Sequence, residues 1–571
     1  MKKAELNPGA KPGHSLFLQT TALAGLVLMA GLAPSQADSG PGKGGVPAPA
    51  PAPGAAGAKS LKGVAIPLPA NLSSFVSDQA AAIKLGKALF WDMTVGGDGR
   101  QACASCHFQA GSDVRTKNQL HPRASAPGVF SPNHSMAPAD FPINNGMVMG
   151  SAGLPKTGFL NIIPSSPADN GVSIPDAVFN VAGHNIRQVT GRNTPSAVNA
   201  IFNFRSFWDG RANNAFNGVN PAGPGDAAAR VLQVIGGVPT KVSISLSPAS
   251  LASQAVGPPN NGVEMSYDGR NFLQLGKKMM TCRPLKQQVV SPTDSVLGGL
   301  TAGVATGLNT TYPAMIKAAF RSEFWDSTAI VDANKNVITP TGAANEFRVI
   351  EANFSLFWGL SIMLYESTLV SDNTRYDQFV DGNAGALSTT EQAGLAVFRG
   401  KGRCASCHKE PELTQATAGN NQINGGFLNT AVRPVADDGG DILQPGLAKF
   451  KTPGLRNTEL NGPYFHNGNQ ATLMEVVNFY NRGGDFVNAN TDGNIRPLGL
   501  TDTEKSSLVS FMMALTDERV RNQSAPFDHP QLFLNNGADA LGADILVELP
   551  ATGAGGSAPV STFLGMNPQQ P

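Results

Sequence analysis

The chain carries one pentapeptide, Cys-Ala-Ser-Cys-His, twice, at residues 103–107 and 404–408. Two thiols three positions apart can bond both vinyl groups of one haem, while the adjacent histidine supplies the proximal nitrogen to iron. A Cys-x-x-Cys pair alone could instead be half of a zinc site, a redox dithiol or a disulfide. The appended histidine and the repetition of the whole motif favour two covalently attached haems, held by Cys103, Cys106, Cys404 and Cys407.

The fifth cysteine, Cys282, lies outside both motifs. It follows Met279, Met280 and Thr281 in a segment that has the apolar character of a helix. Free cysteine is among the most often buried residues. We therefore expect Cys282 to be a buried structural thiol.

The N-terminus has the pattern of an export signal. Lys2, Lys3 and Lys11 precede an apolar run at 16–33, and Ser-Gln-Ala at 35–37 offers small residues for cleavage. An uncleaved anchor is the alternative, but the densest apolar stretch, 22–33, falls short of the ~20 residues that span a bilayer. The sequence thus predicts a signal peptide at 1–37 and a periplasmic protein without a stable membrane span.

Two further segments have compositions that do not favour a packed core. Residues 38–60 are rich in Gly, Ala and Pro, which is typical of a flexible linker. Residues 536–571 have few aromatics and repeated Gly and Ala, so they are predicted to form a flexible tail.

The charges nearly balance, with 42 basic and 41 acidic residues. This balance makes no case for binding to nucleic acid or to a membrane surface. A charged electron donor would therefore have to dock on a local patch.

The remaining chain predicts a mainly α fold, with two cytochrome c-like haem domains, long loops and an interdomain interface. Helices are expected at 78–91, 351–369 and 503–516, and from a capping box that begins at Ser388. Residues 108–192 and 218–262 are rich in Gly, Pro and Asn and are expected to be long loops. The predicted boundaries are 61–290 for the N-terminal haem domain, 291–380 for a helical connecting region and 381–535 for the C-terminal haem domain.

Several short segments, in their order around the two motifs, resemble the bacterial dihaem cytochrome c peroxidase and MauG superfamily. The resemblance runs with insertions from about residue 75 to about 520. The segments are Leu-Gly-Lys-Ala-Leu-Phe at 85–90, Arg-Asn-Thr-Pro-Ser at 192–196 with Asn199, Phe-Trp-Asp-Gly-Arg at 207–211, Leu-Arg-Asn-Thr at 455–458 and Pro-Tyr-Phe-His-Asn-Gly at 463–468.

The resemblance implies that peroxide is cleaved at the N-terminal haem and that the C-terminal haem passes or stores electrons. His107 and His408 are then the proximal ligands of the two irons. Glu264, in Gly-Val-Glu-Met, resembles the family's Pro-x-Glu-Met segment and is the expected acid and base, although Gly262 replaces the usual proline. A carboxylate near an apolar haem face should have a raised pKa. The alternative is a solvated loop glutamate.

His184 matches a loop histidine that caps the peroxidatic iron in some family members until the second haem is reduced. By this resemblance it is a distal-ligand candidate, with His121 and His134 as weaker alternatives. Loop histidines are also often simply exposed to solvent.

Tyr480 is the expected sixth ligand of the second iron, because its segment resembles the helix that supplies that ligand. The ligand is Met in typical dihaem peroxidases and Tyr in MauG-like members. A phenolate favours ferric and higher states, whereas a thioether favours ferrous iron. The alternative is a core tyrosine, with Met474 or Met512 as the ligand.

The remaining residues are assigned by the same resemblance. Trp208 resembles the tryptophan that lies between the two haems and relays charge, and the fork of Arg211 suits a haem propionate. Asn193, with backbone carbonyls around Asn461 and Pro463, resembles a calcium site between the domains, since a hard cation prefers oxygen ligands. His466 is expected to pack or hydrogen-bond near the second haem.

These assignments favour a periplasmic peroxidase that reduces hydrogen peroxide to water, with a small cytochrome c or cupredoxin as electron donor. The first alternative is a MauG-like, peroxide-dependent oxidase of a protein or organic substrate. The second is a non-enzymatic dihaem electron carrier. A dioxygen-using relative such as the rubber oxygenases is disfavoured by Glu264, and a homodimer is left open.

Overall fold

In a computed structural model, the chain is described over residues 60–123, 130–143, 146–417, 426–438, 440 and 445–571. The predicted signal peptide at 1–37 lies outside these residues. The predicted linker at 38–60 also lies outside them, apart from Ser60, which is buried.

Helices account for 29% of the residues and strands for 14%. The chain is therefore less helical than a mainly α fold predicts. The helices are α1 (Gln79–Trp91), α2 (Ala104–His107), α3 (Ser250–Ala255), α4 (Phe272–Met279), α5 (Tyr312–Ala319), α6 (Val349–Ala352), α7 (Phe354–Glu366), α8 (Arg375–Val380), α9 (Thr389–Arg399), α10 (Leu473–Arg482), α11 (Asp502–Met513) and α12 (Glu518–Arg521).

The strands are short and pair locally. Within the described ranges they form six two-stranded sheets and one three-stranded sheet, in the order β10-β9-β11. They are β1 (Leu120–His121), β2 (Val148–Met149), β3 (Thr157–Asn161), β4 (Asn170–Ser173), β5 (Asn180–Val181), β6 (His184–Asn185), β7 (Val231–Ile235), β8 (Val238–Val242), β9 (Ile330–Val331), β10 (Val337–Ile338), β11 (Phe347–Arg348), β12 (Phe427–Leu428), β13 (Phe450–Lys451), β14 (Leu532–Ala538) and β15 (Asp544–Leu549).

The helix before the first motif, α1, packs against α7 in the larger hydrophobic core. Asp78 caps α1 by accepting a hydrogen bond from the backbone of Ala81. Gly86 permits the close approach of the two helices, because a Cβ there would lie 1.9 Å from the Ser361 carbonyl oxygen. The contact fixes the direction in which the chain enters residues 103–107.

The helix before the second motif, α9, makes the same kind of contact with α11. A Cβ on Gly394 would lie 1.9 Å from the Ser507 carbonyl oxygen. The predicted capping box is confirmed, since Ser388 and Glu391 bond reciprocally to each other's backbone. Together with residues of α10, these helices form a second core. Each motif thus follows a helix that is seated on a partner helix through a glycine.

The structure corrects the expected helix at 351–369. The helix is divided into α6 and α7 at Asn353. The side chain of Asn353 is hydrogen-bonded to the backbone of Leu232 and Phe324. The predicted helical connecting region at 291–380 contains α5 to α8 and also the sheet of β9, β10 and β11. Its helix α7 is buried along its whole length in the larger core.

The predicted flexible tail at 536–571 is wrong. Strands β14 and β15 form a hairpin, and Asp544 pairs with the buried Arg187 at 2.6 Å. Further on, Phe563 is buried against Phe141. These partners lie more than 350 residues earlier in the chain, so local composition could not indicate them. No helix in the described part of the chain is long and apolar enough to cross a membrane.

Candidate haem sites

The first motif forms α2, which ends at His107. The Nδ1 of His107 lies 2.8 Å from the Gly111 carbonyl oxygen and donates its proton there. Such a bond fixes the orientation of an imidazole and directs its other nitrogen, Nε2, toward a metal. The arrangement is that of a proximal ligand.

Arg115 and Asp113 lie beside the attachment cysteines, a feature that the sequence did not reveal. The buried Arg115 guanidinium is 3.8 Å from the Cys106 sulfur and is bonded to Asp113 at 2.6 Å. Arg115 also donates to the carbonyls of Ala152 and Asn535. No sequence motif predicts the Arg115–Asp113 pair, because the other partners of Arg115 lie in a distant loop and in the C-terminal hairpin.

Glu264 is half-buried and lies within electrostatic reach of Cys103 and Cys106 in the first motif. Burial is the main cause that raises the pKa of Cys106 to about 12, and the Glu264 carboxylate adds to it. Burial likewise raises the pKa of Glu264, while the charge of Arg211 acts in the opposite direction. The segment is held by the backbone of Leu154, which donates to the Val263 carbonyl at 2.9 Å. The structure therefore brings a carboxyl group with a raised pKa to the first motif.

Arg211 has partners within the protein. It pairs with Asp209 at 2.9 Å, and its guanidinium carbon lies 3.7 Å from the centre of the Phe207 ring. Its side chain is 38% exposed, and Asp209 is shared with Arg192. The charge of Arg211 also reaches Glu264, whose pKa it lowers. The assignment of Arg211 to a haem propionate stays a prediction.

The second motif repeats the imidazole geometry of the first. The Nδ1 of His408 lies 3.1 Å from the carbonyl oxygens of both Leu413 and Pro453. The ring is again fixed through Nδ1, which leaves Nε2 to face a metal. The backbone differs, since Cys404–Ser406 is a turn of 3₁₀-helix and not an α-helix.

A long cavity opens beside the second motif, with Cys404, Cys407 and His408 in its wall. Tyr480 and Met512 line the same cavity, whereas Met474 packs in the second core. Burial raises the pKa of the Tyr480 phenol, and the nearby thiols of Cys404 and Cys407 add to the effect. The phenol would therefore ionise only beside a strong positive centre such as ferric iron.

Trp208 is buried in the wall of that cavity. Its indole N–H donates to the Asn193 carbonyl at 2.8 Å, and its ring meets His466 edge-on at 6.2 Å. His466 stacks on Phe450 at 3.7 Å and is hydrogen-bonded to Asp438. His466 thus packs and hydrogen-bonds beside the second motif, as the sequence predicts.

The residues of the predicted calcium site, Asn193, Asn461 and Pro463, line one cavity. The Asn193 amide donates to the Pro463 carbonyl at 2.6 Å and to the Phe465 carbonyl at 3.2 Å. The Asn461 side chain donates to Ala110 and Ser112, each at 2.9 Å, and these bonds do not involve its backbone carbonyl, which is the predicted ligand. A calcium ion here would need the Asn193 amide to turn its oxygen inward, so calcium stays a prediction.

None of the three histidines considered as distal ligands is brought to the first motif by a described contact. His184 is exposed on β6, next to Gly542 of the C-terminal hairpin. His134 pairs with Asp140 at 3.1 Å, and His121 lies against Phe179. A position in a long loop is weak evidence for a distal ligand, because these loops pack against other loops.

The donor groups at both motifs fit covalently bound haem. All five cysteines are free thiols, so neither Cys-x-x-Cys pair is a disulfide. Within the described ranges, no group of three or more His, Cys, Asp or Glu side chains could hold a metal ion. Two thiols and one oriented imidazole are instead the set that attaches a haem and ligates its iron. Cys282 is buried, with its thiol 3.6 Å from the Ser166 carbonyl.

The chain belongs to the di-haem cytochrome c peroxidase family, whose model matches residues 80–385. The match contains the first motif and stops before the second. Membership of this family implies two haem c groups, in agreement with the two motifs.

Among curated relatives, the cytochrome-c peroxidase IdrP1 of Denitromonas iodatirespirans is 37% identical over 183 residues, which is 27% of this chain and 48% of that protein. The methylamine utilization protein MauG of Methylorubrum extorquens is 27% identical over 179 residues, or 30% of this chain and 46% of that protein. The chain spans about half the length of the curated relatives it matches. A solved structure, the dihaem peroxidase BthA of Burkholderia thailandensis, is 19% identical, with a TM-score of 0.41 over 78% of this chain and 88% of that one.

Proposed function

We propose that this protein is an exported dihaem peroxidase that reduces hydrogen peroxide to water at the first motif. Electrons would reach that site from the second motif by way of Trp208. The observation that carries the proposal is the half-buried carboxyl group of Glu264, which lies within electrostatic reach of Cys103 and Cys106 and has a raised pKa. Family membership and the names of the curated relatives point to the same chemistry.

Reduction of one hydrogen peroxide takes two electrons and two protons and gives two waters. A haem held by Cys103, Cys106 and His107 would supply the electrons that cleave the peroxide O–O bond. The protein must move a proton from one peroxide oxygen to the other, so that water can leave. Glu264 can do this because burial raises the pKa of its carboxyl group, which helps the group both to accept and to return a proton.

Arg211 is a positioning residue in this proposal. Its positive charge lowers the pKa of Glu264, against the larger effect of burial. Asp209 and Phe207 hold the guanidinium on one side. Arg211 thereby keeps a fraction of Glu264 ionised and ready to accept the first proton.

The second motif is proposed to relay or store electrons. Tyr480, on α10, and Met512 both line its cavity, and we favour Tyr480 as the sixth ligand. The donor would be a small cytochrome c or cupredoxin. The periplasmic location and a calcium ion near Asn193 and Pro463 belong to the same proposal.

A MauG-like oxidase is the second candidate, and the position of Tyr480 favours it. A phenolate ligand stabilises high oxidation states, which would suit a centre that withdraws electrons from a protein or organic substrate. A pure electron carrier would give Glu264 no role.

The test is steady-state peroxide consumption by the holoprotein, with a reduced cytochrome c as donor. Rapid turnover supports the peroxidase and removes the pure MauG-like oxidase. Peroxide consumption that is slow with cytochrome c but rapid with an added protein or organic reductant favours the oxidase. Absence of any peroxide consumption leaves only the electron carrier.

A further inference from the structure

A buried indole and a buried phenol are hydrogen-bonded to each other near the first motif. The Trp91 N–H, at the end of α1, donates to the Tyr365 phenolic oxygen of α7 at 2.9 Å. Their exposed fractions are only 4% and 1%. Both side chains line a small cavity together with His107.

Ring contacts connect this pair to the proximal imidazole. The Phe90 ring centre is 6.2 Å from that of His107 and 5.4 Å from that of Tyr365. On its other side, Trp91 stacks on His529, with centres 4.7 Å apart and planes 12° from parallel. Aromatic contact is thus continuous from His107 to Trp91 and beyond it, in a direction that does not include Trp208.

A buried charge cluster lies next to the pair. Lys87 is fully buried and bonds to Asp294 at 2.9 Å and to Asp528 at 3.3 Å. Asp528 directly precedes His529, the residue stacked on Trp91. Two carboxylates face one ammonium, so the cluster has a formal charge of −1 in surroundings that screen it weakly.

The field of this cluster reaches the aromatic pair. Burial is the first cause that raises the pKa of Tyr365, and the charges of Asp294, Asp528 and Glu366 raise it further. A negative potential makes it harder for Tyr365 to become a tyrosinate anion. The same potential stabilises a positive charge on Tyr365 or on the neighbouring Trp91. The site is therefore electrostatically suited to a cation.

We propose that Trp91 is a redox-active residue that gives one electron to the first haem site and then holds the positive charge as a tryptophan cation radical. The inference rests on the proposed peroxidase function, which supplies hydrogen peroxide as the oxidant. Trp91 loses one electron and no proton, since its N–H stays bonded to the Tyr365 oxygen. Peroxide takes this electron and a second one from the second motif, together with two protons, and yields two waters.

The proposal assigns different tasks to two tryptophans. Trp208 lines the cavity of the second motif and, in the proposed function, relays electrons between the two centres. Trp91 would supply one of the two electrons locally when the second centre has only one to give. The oxidised indole would then await an external electron, by which it returns to its resting state.

The experiment is freeze-quench electron paramagnetic resonance on the holoprotein after one equivalent of hydrogen peroxide, with ring-deuterated tryptophan as the label. We expect a radical signal that narrows on deuteration and falls at least about tenfold in Trp91→Phe. Trp358→Phe is the matched control, because Trp358 is also buried with its N–H bonded, to Ala255 at 2.8 Å. Two haems per chain in each variant would show that folding is intact.

A second variant keeps the proposal testable if Trp91→Phe does not fold. Tyr365→Phe removes only the acceptor of the indole N–H, so it should change the hyperfine pattern of the radical. If the parent consumes peroxide but shows no tryptophan radical, or the same radical in Trp91→Phe and Tyr365→Phe, the inference is overturned and the peroxidase stands. If the parent consumes no peroxide, the proposed function and the inference fail together.

Discussion

The two motifs have identical sequences but different surroundings. Around residues 103–107 the chain places a half-buried carboxyl group, Glu264, with a raised pKa. Around residues 404–408 it places a cavity lined by the phenol of Tyr480. The proximal imidazoles, each fixed through Nδ1, are alike. The difference teaches that two identical motifs can be given different proposed roles only by the groups that surround them.

The largest expected effect comes from removing the acid and base of the first centre. Glu264→Gln keeps the size of the side chain but cannot take up a proton, so kcat/KM for peroxide should fall ~100-fold or more. Asp268→Asn, an exposed carboxyl group in the same segment, is the control and should retain the parent rate. A loss below about tenfold in Glu264→Gln would argue against acid and base work there.

The second prediction concerns the ligand of the second centre. Tyr480→Met should change the resting spectrum of one haem and raise its reduction potential, on the order of 100 mV or more, because a thioether favours ferrous iron. Tyr464→Phe is the control, since Tyr464 lines the same cavity but donates its hydroxyl proton to Thr458. Identical spectra for Tyr480→Met and the parent would remove Tyr480 as a ligand.

The third prediction concerns communication between the centres. Trp208→Phe shortens the ring system and removes the N–H bond to Asn193. We expect electron transfer between the haems, followed by stopped-flow spectroscopy, to slow by ~10-fold, which corresponds to about 1.4 kcal/mol of barrier. Trp325→Phe, outside this cavity, should leave the rate unchanged. An unaltered rate in Trp208→Phe would show that charge passes elsewhere.

The smallest expected effect is a displaced pH profile. Glu264 must be ionised to accept the first proton, so kcat/KM should rise with pH through its raised pKa. Arg211→Gln removes the charge that lowers this pKa, so the acid limb should move to higher pH. The displacement should be less than about one unit, because Arg211 is partly exposed to solvent. A displacement to lower pH would contradict the assignment.

Local sequence predicted the parts of the fold that depend on local interactions. The structure confirms that helices begin at the capping residues Asp78 and Ser388. These starts could be predicted because a helix cap involves only residues within one turn of each other. The tail was missed because Asp544 and Phe563 find partners far away in the chain. Hydropathy alone gives no information about such pairings.

The same distinction applies to the site. The attachment residues and both imidazoles follow from one repeated pentapeptide. Arg115 at Cys106, and Trp91 bonded to Tyr365, could not be found from the sequence, because loops or separate helices bring them together. His184 was favoured by its position in the sequence, yet it is exposed on a hairpin.

The central claim is that one centre is open to substrate and the other is closed by a ligand from the chain. Cyanide titration of the ferric holoprotein, followed by the haem spectra, tests it most directly. The account predicts one cyanide per two haems in the parent, and a second binding event in Tyr480→Ala. Uptake of two equivalent cyanides by the parent, or of none, would contradict it.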